Sequence, residues 1–86
     1  MGSVSQTSTP LSDLFTIRQT ALLLGRSEYS IWYHARNNLH PEPQWRGKTM
    51  LLTRAHLVAL VQEHLRLRAD ESREELLKRV QGATAS

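Results

Sequence analysis

The spacing of apolar residues predicts a short helix that begins near residue 16. Ile17, Ala21 and Leu24 recur at helical spacing, so they lie on one face and turn inward. Thr16 precedes them and forms a capping box with the glutamine three residues later, in which each side chain bonds the other residue's backbone amide. Gly25 ends the helix because it adopts the left-handed cap conformation without steric strain.

A second helix follows after a turn of only three residues. Ser27 is its N-cap, and the pattern predicts helix over residues 28–37. Ile31 and Ala35 lie one turn apart and face inward, and we expect Trp32 beside them to join the core. Two short helices joined by a glycine-containing turn form a helix-turn-helix pattern. The residues left on the outer face are Glu28, Tyr29, Ser30, Tyr33, Arg36 and Asn37.

A β-hairpin is predicted next, after two prolines within residues 41–43 that hold the chain extended. Its strands are 44–46 and 49–52, and glycine at the first of the two loop positions suits a type II′ turn. In that register Trp45 lies opposite Met50, and we expect Trp45 to brace the hairpin against the next helix. The tip of the hairpin consists of Arg46, Gly47, Lys48 and Thr49.

The last part of the chain reads as helical. Thr53 caps a predicted helix over 54–68, and a final helix is predicted from Ser72 to Gln81. The sequence fits either a break at 69–72 or one continuous helix. The final helix has one apolar side, which packs either within the chain or against a second copy or another protein, and we favour the second arrangement. That side consists of Leu76, Leu77 and Val80.

The length and charge of the chain narrow its function. Its 86 residues suit one small domain and are too few for a catalytic domain beside a binding domain. The net charge is +3, and residues 16–56 hold six basic and two acidic side chains, whereas residues 57–86 are neutral overall. This distribution indicates a site for a polyanion in the middle of the chain, unless the basic side chains form only a solvated surface.

Several kinds of site have no counterpart in the sequence. Without cysteine, the chain has no disulfide, thiolate metal site or cysteine nucleophile. The four histidines lack a ligand set at metal spacing, and no phosphate-binding glycine loop is present. We therefore expect no metal, no cofactor, no small-molecule ligand and no enzymatic activity. The apolar runs are too short to span a membrane and no signal-peptide pattern is present, so we expect an intracellular protein.

A series of short motifs resembles a known family. They are the run FTIRQTALLLGRS at 15–27, then Ile31 and Pro41, then WRGK at 45–48 and LTRAHL at 52–57. Their order and spacing over about residues 14–62 resemble the winged helix-turn-helix domain of phage and plasmid excisionases and of the DNA-binding heads of MerR-type regulators. The resemblance implies a mainly α fold with a small β-hairpin wing, followed here by an extra C-terminal helix.

The resemblance also divides the chain and assigns roles to its residues. The division is a disordered tail at 1–13, the winged domain at 14–62, a helical extension at 63–82 and a frayed end at 83–86. In such domains the second helix enters the major groove of double-stranded DNA, which implies contacts from its six outer residues given above. The hairpin tip lies at the adjacent minor groove. Phosphate clamps are expected at Thr16, Arg18, Arg26, Ser27 and Arg54.

We therefore expect a small, sequence-specific protein that binds double-stranded DNA. Its role is that of an excisionase-like recombination directionality factor with an integrase as partner, or of a small regulator acting on the transcription machinery. Because so small a domain often binds DNA strongly only as a dimer or a cooperative row, we favour self-association through the last helix. We expect it in the cytoplasm, associated with the nucleoid. The alternative is a protein-interaction adaptor that uses the scaffold without DNA, which the pair Trp32-Tyr33 supports.

Overall fold

The computed structural model describes residues 14–84. They form a mixed α/β fold of four helices and a three-stranded antiparallel sheet. In chain order the elements are β1 (Leu14–Thr16), α1 (Ile17–Leu24), α2 (Glu28–Asn38), β2 (Gln44–Arg46), β3 (Thr49–Thr53), α3 (Arg54–Ala59), a π-helical turn (Leu60–His64) and α4 (Arg73–Gly82). The tail predicted at 1–13 and the last two residues of the predicted frayed end lie outside the described residues.

The sheet has the strand order β1–β3–β2, and its first strand was not predicted. Leu14 pairs with Thr53, and Phe15 pairs with Leu52. Phe15, which directly precedes the capping residue of α1, is a core residue with 2% exposure. A strand of three residues is too short to show an alternating pattern, so only its long-range pairing with β3 reveals it.

Two threonines each end a strand and begin a helix. The Thr16 hydroxyl accepts from the Gln19 amide at 3.0 Å, and the Gln19 side chain accepts from the Thr16 amide at 2.8 Å, which confirms the predicted capping box. Thr53 repeats the arrangement with His56, whose Nδ1 accepts from the Thr53 amide while the hydroxyl accepts from the His56 amide, both at 3.1 Å. These joints set the directions of α1 and α3 relative to the sheet.

The turn between the first two helices also forms as predicted. Gly25 has a φ of +68° after the last residue of α1. The hydroxyl of Ser27 accepts from the amide of Ser30 at 3.1 Å and caps α2, which ends one residue later than predicted. Ile31 and Ala35 are buried and hold α2 against the core.

The predicted hairpin register is confirmed. Trp45 lies opposite Met50, and Arg46 lies opposite Thr49. Gly47 has a φ of +61°, and among the described residues no non-glycine residue has a positive φ. A positive φ at the first loop position alone is the signature of the type II′ turn that the sequence predicted.

The third helix is shorter than predicted. It ends at Ala59, and in the π-helical turn that follows, the amide of Leu65 donates to the carbonyl of Leu60, five residues back, at 2.8 Å. Residues 65–72 are not helical, so α3 and α4 are separate. The apolar stripe continues as far as Leu65, which is buried, and periodicity therefore did not show where the helix stops.

Arg26 joins the turn between α1 and α2 to the segment that precedes α4. Its guanidinium donates to the two carboxylate oxygens of Glu71 at 2.8 and 2.9 Å. It also donates to the carbonyls of Leu24 and Arg66, at 2.9 and 2.8 Å. These bonds from Arg26, together with one from the Arg68 amide, lower the pKa of Glu71 to about 2.

Helix α4 completes the core. Leu76 and Val80 are buried with 2% and 0% exposure, where α4 packs on α1 and α3, and Leu77 is partly buried beside them. The sequence favours self-association for these three residues, whereas the structure packs them within the chain. The physical reason is that a chain this small has little apolar surface for a core, so burying these side chains within the chain contributes a large share of its stability.

Replacing Leu76 tests whether α4 belongs to the folding unit. The variant Leu76→Ala removes a fully buried side chain, so we expect it to lower the free energy of unfolding by about 2–5 kcal/mol. Urea unfolding followed by circular dichroism measures this. The control Lys78→Ala changes an exposed residue of the same helix, and an equal effect of both substitutions would contradict the packing described.

The Arg26–Glu71 pair predicts an acid-sensitive contribution to stability. Because the folded pKa of Glu71 lies below its ordinary value of 4.5, the stabilisation is complete above that value and is lost as the pH falls from 4.5 towards 2. We expect the difference in melting temperature between the wild type and Glu71→Gln to be largest near neutral pH and to shrink over that window. Glu63→Gln, at an exposed carboxylate, serves as control. A difference that is constant with pH would refute the pair's role.

Candidate nucleic-acid interface

An open cleft separates α2 from the β2–β3 hairpin. Its volume is about 450 Å³. The two elements face each other across the cleft because His56 binds the segment that connects α2 to β2. The Nδ1 atom of His56 accepts from the Thr53 amide, so its Nε2 carries the proton and donates to the Pro41 carbonyl at 2.7 Å. The cleft is lined by Thr16, Ile17, Arg18, Glu28, Tyr29, Trp32, Trp45, Lys48, Thr49 and Met50.

His56 was not identified from the sequence as a residue that positions this site. It is 3% exposed and serves both the cap of α3 and the connection before β2. The signal was present in the spacing Thr-x-x-His at residues 53–56, which places an acceptor side chain where a capping box usually has Glu or Gln. Its second bond, to a residue fifteen positions away, leaves no trace in the local sequence.

Aromatic side chains form much of the exposed surface beside the cleft. Four of the five aromatic residues are exposed, and only Phe15 is in the core. Trp32, expected in the core, is 40% exposed, because Ile31 and Ala35 occupy the inward positions of α2. Trp45, expected to brace the hairpin against the next helix, is 52% exposed and lines cavities shared with α2.

The rings on α2 are ordered along the helix. The centroids of Tyr29 and Trp32 are 6.3 Å apart with an angle of 28° between the ring planes. Tyr33 lies at the same centroid distance from Tyr29. The guanidinium carbon of Arg36 is 5.5 Å from the Trp32 centroid, which is a cation–π distance. The outer face of α2 is therefore a row of aromatic rings that ends in a cation.

The basic residues predicted to bind DNA fall into two groups. Arg18, Arg36, Arg46 and Lys48 are exposed, and two of them, Arg18 and Lys48, line the cleft. Arg18 and Lys48 place positive charge on the helical side and on the hairpin side of the cleft. We call these four the surface cations.

Arg26 and Arg54, both predicted as phosphate clamps, are instead bonded within the fold. The side chain of Arg26 is 9% exposed and holds Glu71. The guanidinium of Arg54 lies 5.3 Å from the centroid of the Phe15 ring and donates to the carbonyl of Val80. Each guanidinium is therefore engaged in long-range contacts within the fold.

The remaining predicted site residues differ in exposure and in hydrogen bonding. The hydroxyls of Thr16 and Ser27 accept helix amides, so they cap helices in this structure. Ser30 is half-buried, and the Asn37 side chain donates to the Tyr33 carbonyl at 2.9 Å. The others are exposed: Glu28, Tyr29, Gly47 and Thr49.

A pair of stacked histidines joins α2 to the π-helical turn, away from the cleft. The rings of His34, on α2, and His64, in the π-helical turn, stack with centroids 5.9 Å apart. Burial and the neighbouring charge of His64 lower the pKa of His34. The Nδ1 atom of His34 also lies 3.1 Å from the side-chain nitrogen of Asn38. The pair faces the helical part of the molecule, so it positions α2 without lining the cleft.

Residues 14–84 lack the features of two other kinds of site. Within residues 14–84, no three His, Cys, Asp or Glu side chains converge as metal ligands. Across the same residues, no helix has the length and apolar character needed to cross a membrane.

Comparisons of this chain with protein-family models, with curated proteins and with solved structures found no match. The function is therefore inferred from the surface itself.

The two groups of basic residues predict different effects of substitution on the melting temperature. Arg26→Ala breaks the bonds to Glu71, Leu24 and Arg66 and is expected to lower the melting temperature by several degrees. Arg18→Ala changes an exposed side chain and is expected to leave the melting temperature nearly unchanged. Thermal melts of both variants measure this. Equal losses in the two proteins would show that the division is wrong.

Proposed function

We propose that this protein binds double-stranded DNA as a winged helix-turn-helix module. In this proposal α1 and α2 are the helix-turn-helix, and the β2–β3 hairpin is the wing. The observation that carries it is the placement of the exposed cations Arg18 and Lys48 in the lining of one cleft, the first on a helix and the second on the hairpin, with Arg36 and Arg46 exposed on the same two elements, α2 and the hairpin. Facing cations separated by a groove suit the two sides of a phosphate backbone.

The docking follows from the shapes of the two elements. A B-DNA major groove is wide enough for a helix, so the exposed side of α2 enters it with Glu28 and Tyr29 at the first turn. The tip around Gly47 then reaches the adjacent minor groove, where Arg46 and Lys48 respond to groove width. The backbone strand between the two grooves crosses the mouth of the cleft.

Two biological roles fit such a module. One is an excisionase-like directionality factor, which bends attachment-site DNA and recruits an integrase. The other is a small regulator that occupies an operator and affects the transcription machinery. A bending assay on DNA fragments with permuted site positions distinguishes them, since the first role requires a large bend and the second does not.

The salt dependence of DNA binding tests the proposal. The logarithm of affinity for duplex DNA falls linearly with the logarithm of salt concentration, by about 0.9 per phosphate contact. We expect Arg46→Ala combined with Lys48→Ala to lower the slope by about 1.8 units, because two phosphate contacts are lost. Fluorescence anisotropy at several salt concentrations measures the slope.

A charge-matched variant provides the control. Arg66→Ala combined with Lys78→Ala removes the same charge from exposed positions outside the cleft, and its slope is expected to stay near that of the wild type. Equal reductions in the two variants would show that only net charge matters and that the hairpin is not engaged. Absence of binding to duplex DNA at low salt would refute the proposal.

The second candidate function is a protein-interaction adaptor. The observation that favours it is the exposed aromatic row on α2, because large apolar side chains on a surface often mark a protein interface. This candidate becomes the favoured function if the protein does not bind duplex DNA at low salt. The surface cations, which an apolar protein contact does not require, favour DNA.

A further inference from the structure

The walls of the cleft are more aromatic than a phosphate backbone requires. Tyr29 and Trp32 line it from α2, Trp45 lines it from β2, and Ile17 and Met50 complete its apolar lining. Aromatic faces do not pair with phosphate oxygens, whose partners are the cations. The double-stranded DNA-binding proposal therefore leaves the interior of the cleft without a ligand.

The exposed aromatic residues are concentrated at this place. Among the described residues, the only exposed large apolar side chain away from the aromatic face is Leu22, on α1. Proteins that bind nucleic acid strands with unpaired bases combine solvent-exposed aromatic rings with neighbouring cations on one face. The cleft volume of about 450 Å³ also lies within the range of small-ligand sites, about 300–1,000 Å³.

The polar groups of the cleft select among possible ligands. Arg18 and Lys48 attract phosphates, which an apolar peptide side chain lacks. Glu28 adds a carboxylate, which accepts hydrogen bonds from the exocyclic amino group of a base. Planar rings, two cations and one carboxylate together match a nucleotide with an exposed base.

We propose that the cleft is a nucleobase-stacking site. It takes an unpaired base of the strand that crosses its mouth, with the base against Trp32 and Trp45 and the flanking phosphates at Arg18 and Lys48. This inference rests on the proposed DNA-binding function and specifies the form of DNA that the site prefers. Bulged, flipped or locally opened DNA then binds more tightly than a continuous duplex.

The test compares three probes of the same sequence: a duplex, that duplex with a short bulge of unpaired nucleotides, and the single strand. Anisotropy gives the affinities, and tryptophan fluorescence reports stacking. We expect the bulged duplex to bind at least about fivefold more tightly than the continuous one, since stacking on an aromatic side chain supplies that much per base. Binding of the bulged duplex is also expected to quench the tryptophan emission.

Variants of Trp45 locate the effect. Trp45→Ala is expected to abolish the preference for the bulge, so that the bulged and the continuous duplex bind equally well. Trp45→Phe is expected to restore the preference, because phenylalanine keeps an aromatic face. Leu22→Ala is the control, since it removes an exposed apolar side chain that does not line the cleft. Because Trp45 is half-exposed on an edge strand, these variants are expected to fold, and circular dichroism verifies this.

The outcomes separate this inference from the proposed function. Equal affinity for duplex and bulged DNA, with no effect of Trp45→Ala on the ratio, overturns the stacking site and leaves double-stranded DNA binding intact; the rings then pack only against sugars. Binding to the single strand without binding to the duplex overturns the proposed function and supports the stacking site. Failure to bind any of the three probes overturns both.

Discussion

The guanidinium of Arg26 is the interaction on which the arrangement of the helices depends. It bonds four residues at once: Leu24 and Gly25 where α1 ends, and Arg66 and Glu71 in the segment that precedes α4. One planar group with several donors in fixed directions therefore sets the start of α2 against the segment that leads into α4. The bonds from Arg68 to the Gly25 carbonyl and from Arg79 to the Leu23 carbonyl join the same two regions, but each of them reaches a single carbonyl.

The orientation of α2 relative to the hairpin determines the shape and lining of the cleft. Three contacts position α2 and the segment that follows it. They are the bonds from Arg26, the stacked rings of His34 and His64, and the bond of His56 to Pro41. Together they keep α2 and the β2–β3 hairpin apart, and aromatic rings and cations line the cleft between these two elements. All three are polar or aromatic contacts made at the margins of the apolar core, so the core provides stability and these contacts provide geometry.

The sequence predicted the local features well, because each is made by residues close together in the chain. The Thr16 cap, the left-handed Gly25 and the hairpin register around Gly47 depend on bonds between residues at most a few positions apart. The hairpin tip, Arg18 and Arg36 are exposed, because charged side chains in turns and on outer helix faces are seldom buried without a partner.

The sequence by itself thus determined where most of the elements begin, how they are capped and that the middle of the chain carries the excess positive charge. Tertiary structure alone decided that Phe15 belongs to a third strand, that Arg26 and Arg54 are bonded inside the fold, and that Trp32 and Trp45 face outward. The physical reason is that a residue's type determines which interactions it can form. Its actual partner depends on which distant segments pack beside it in the same small core.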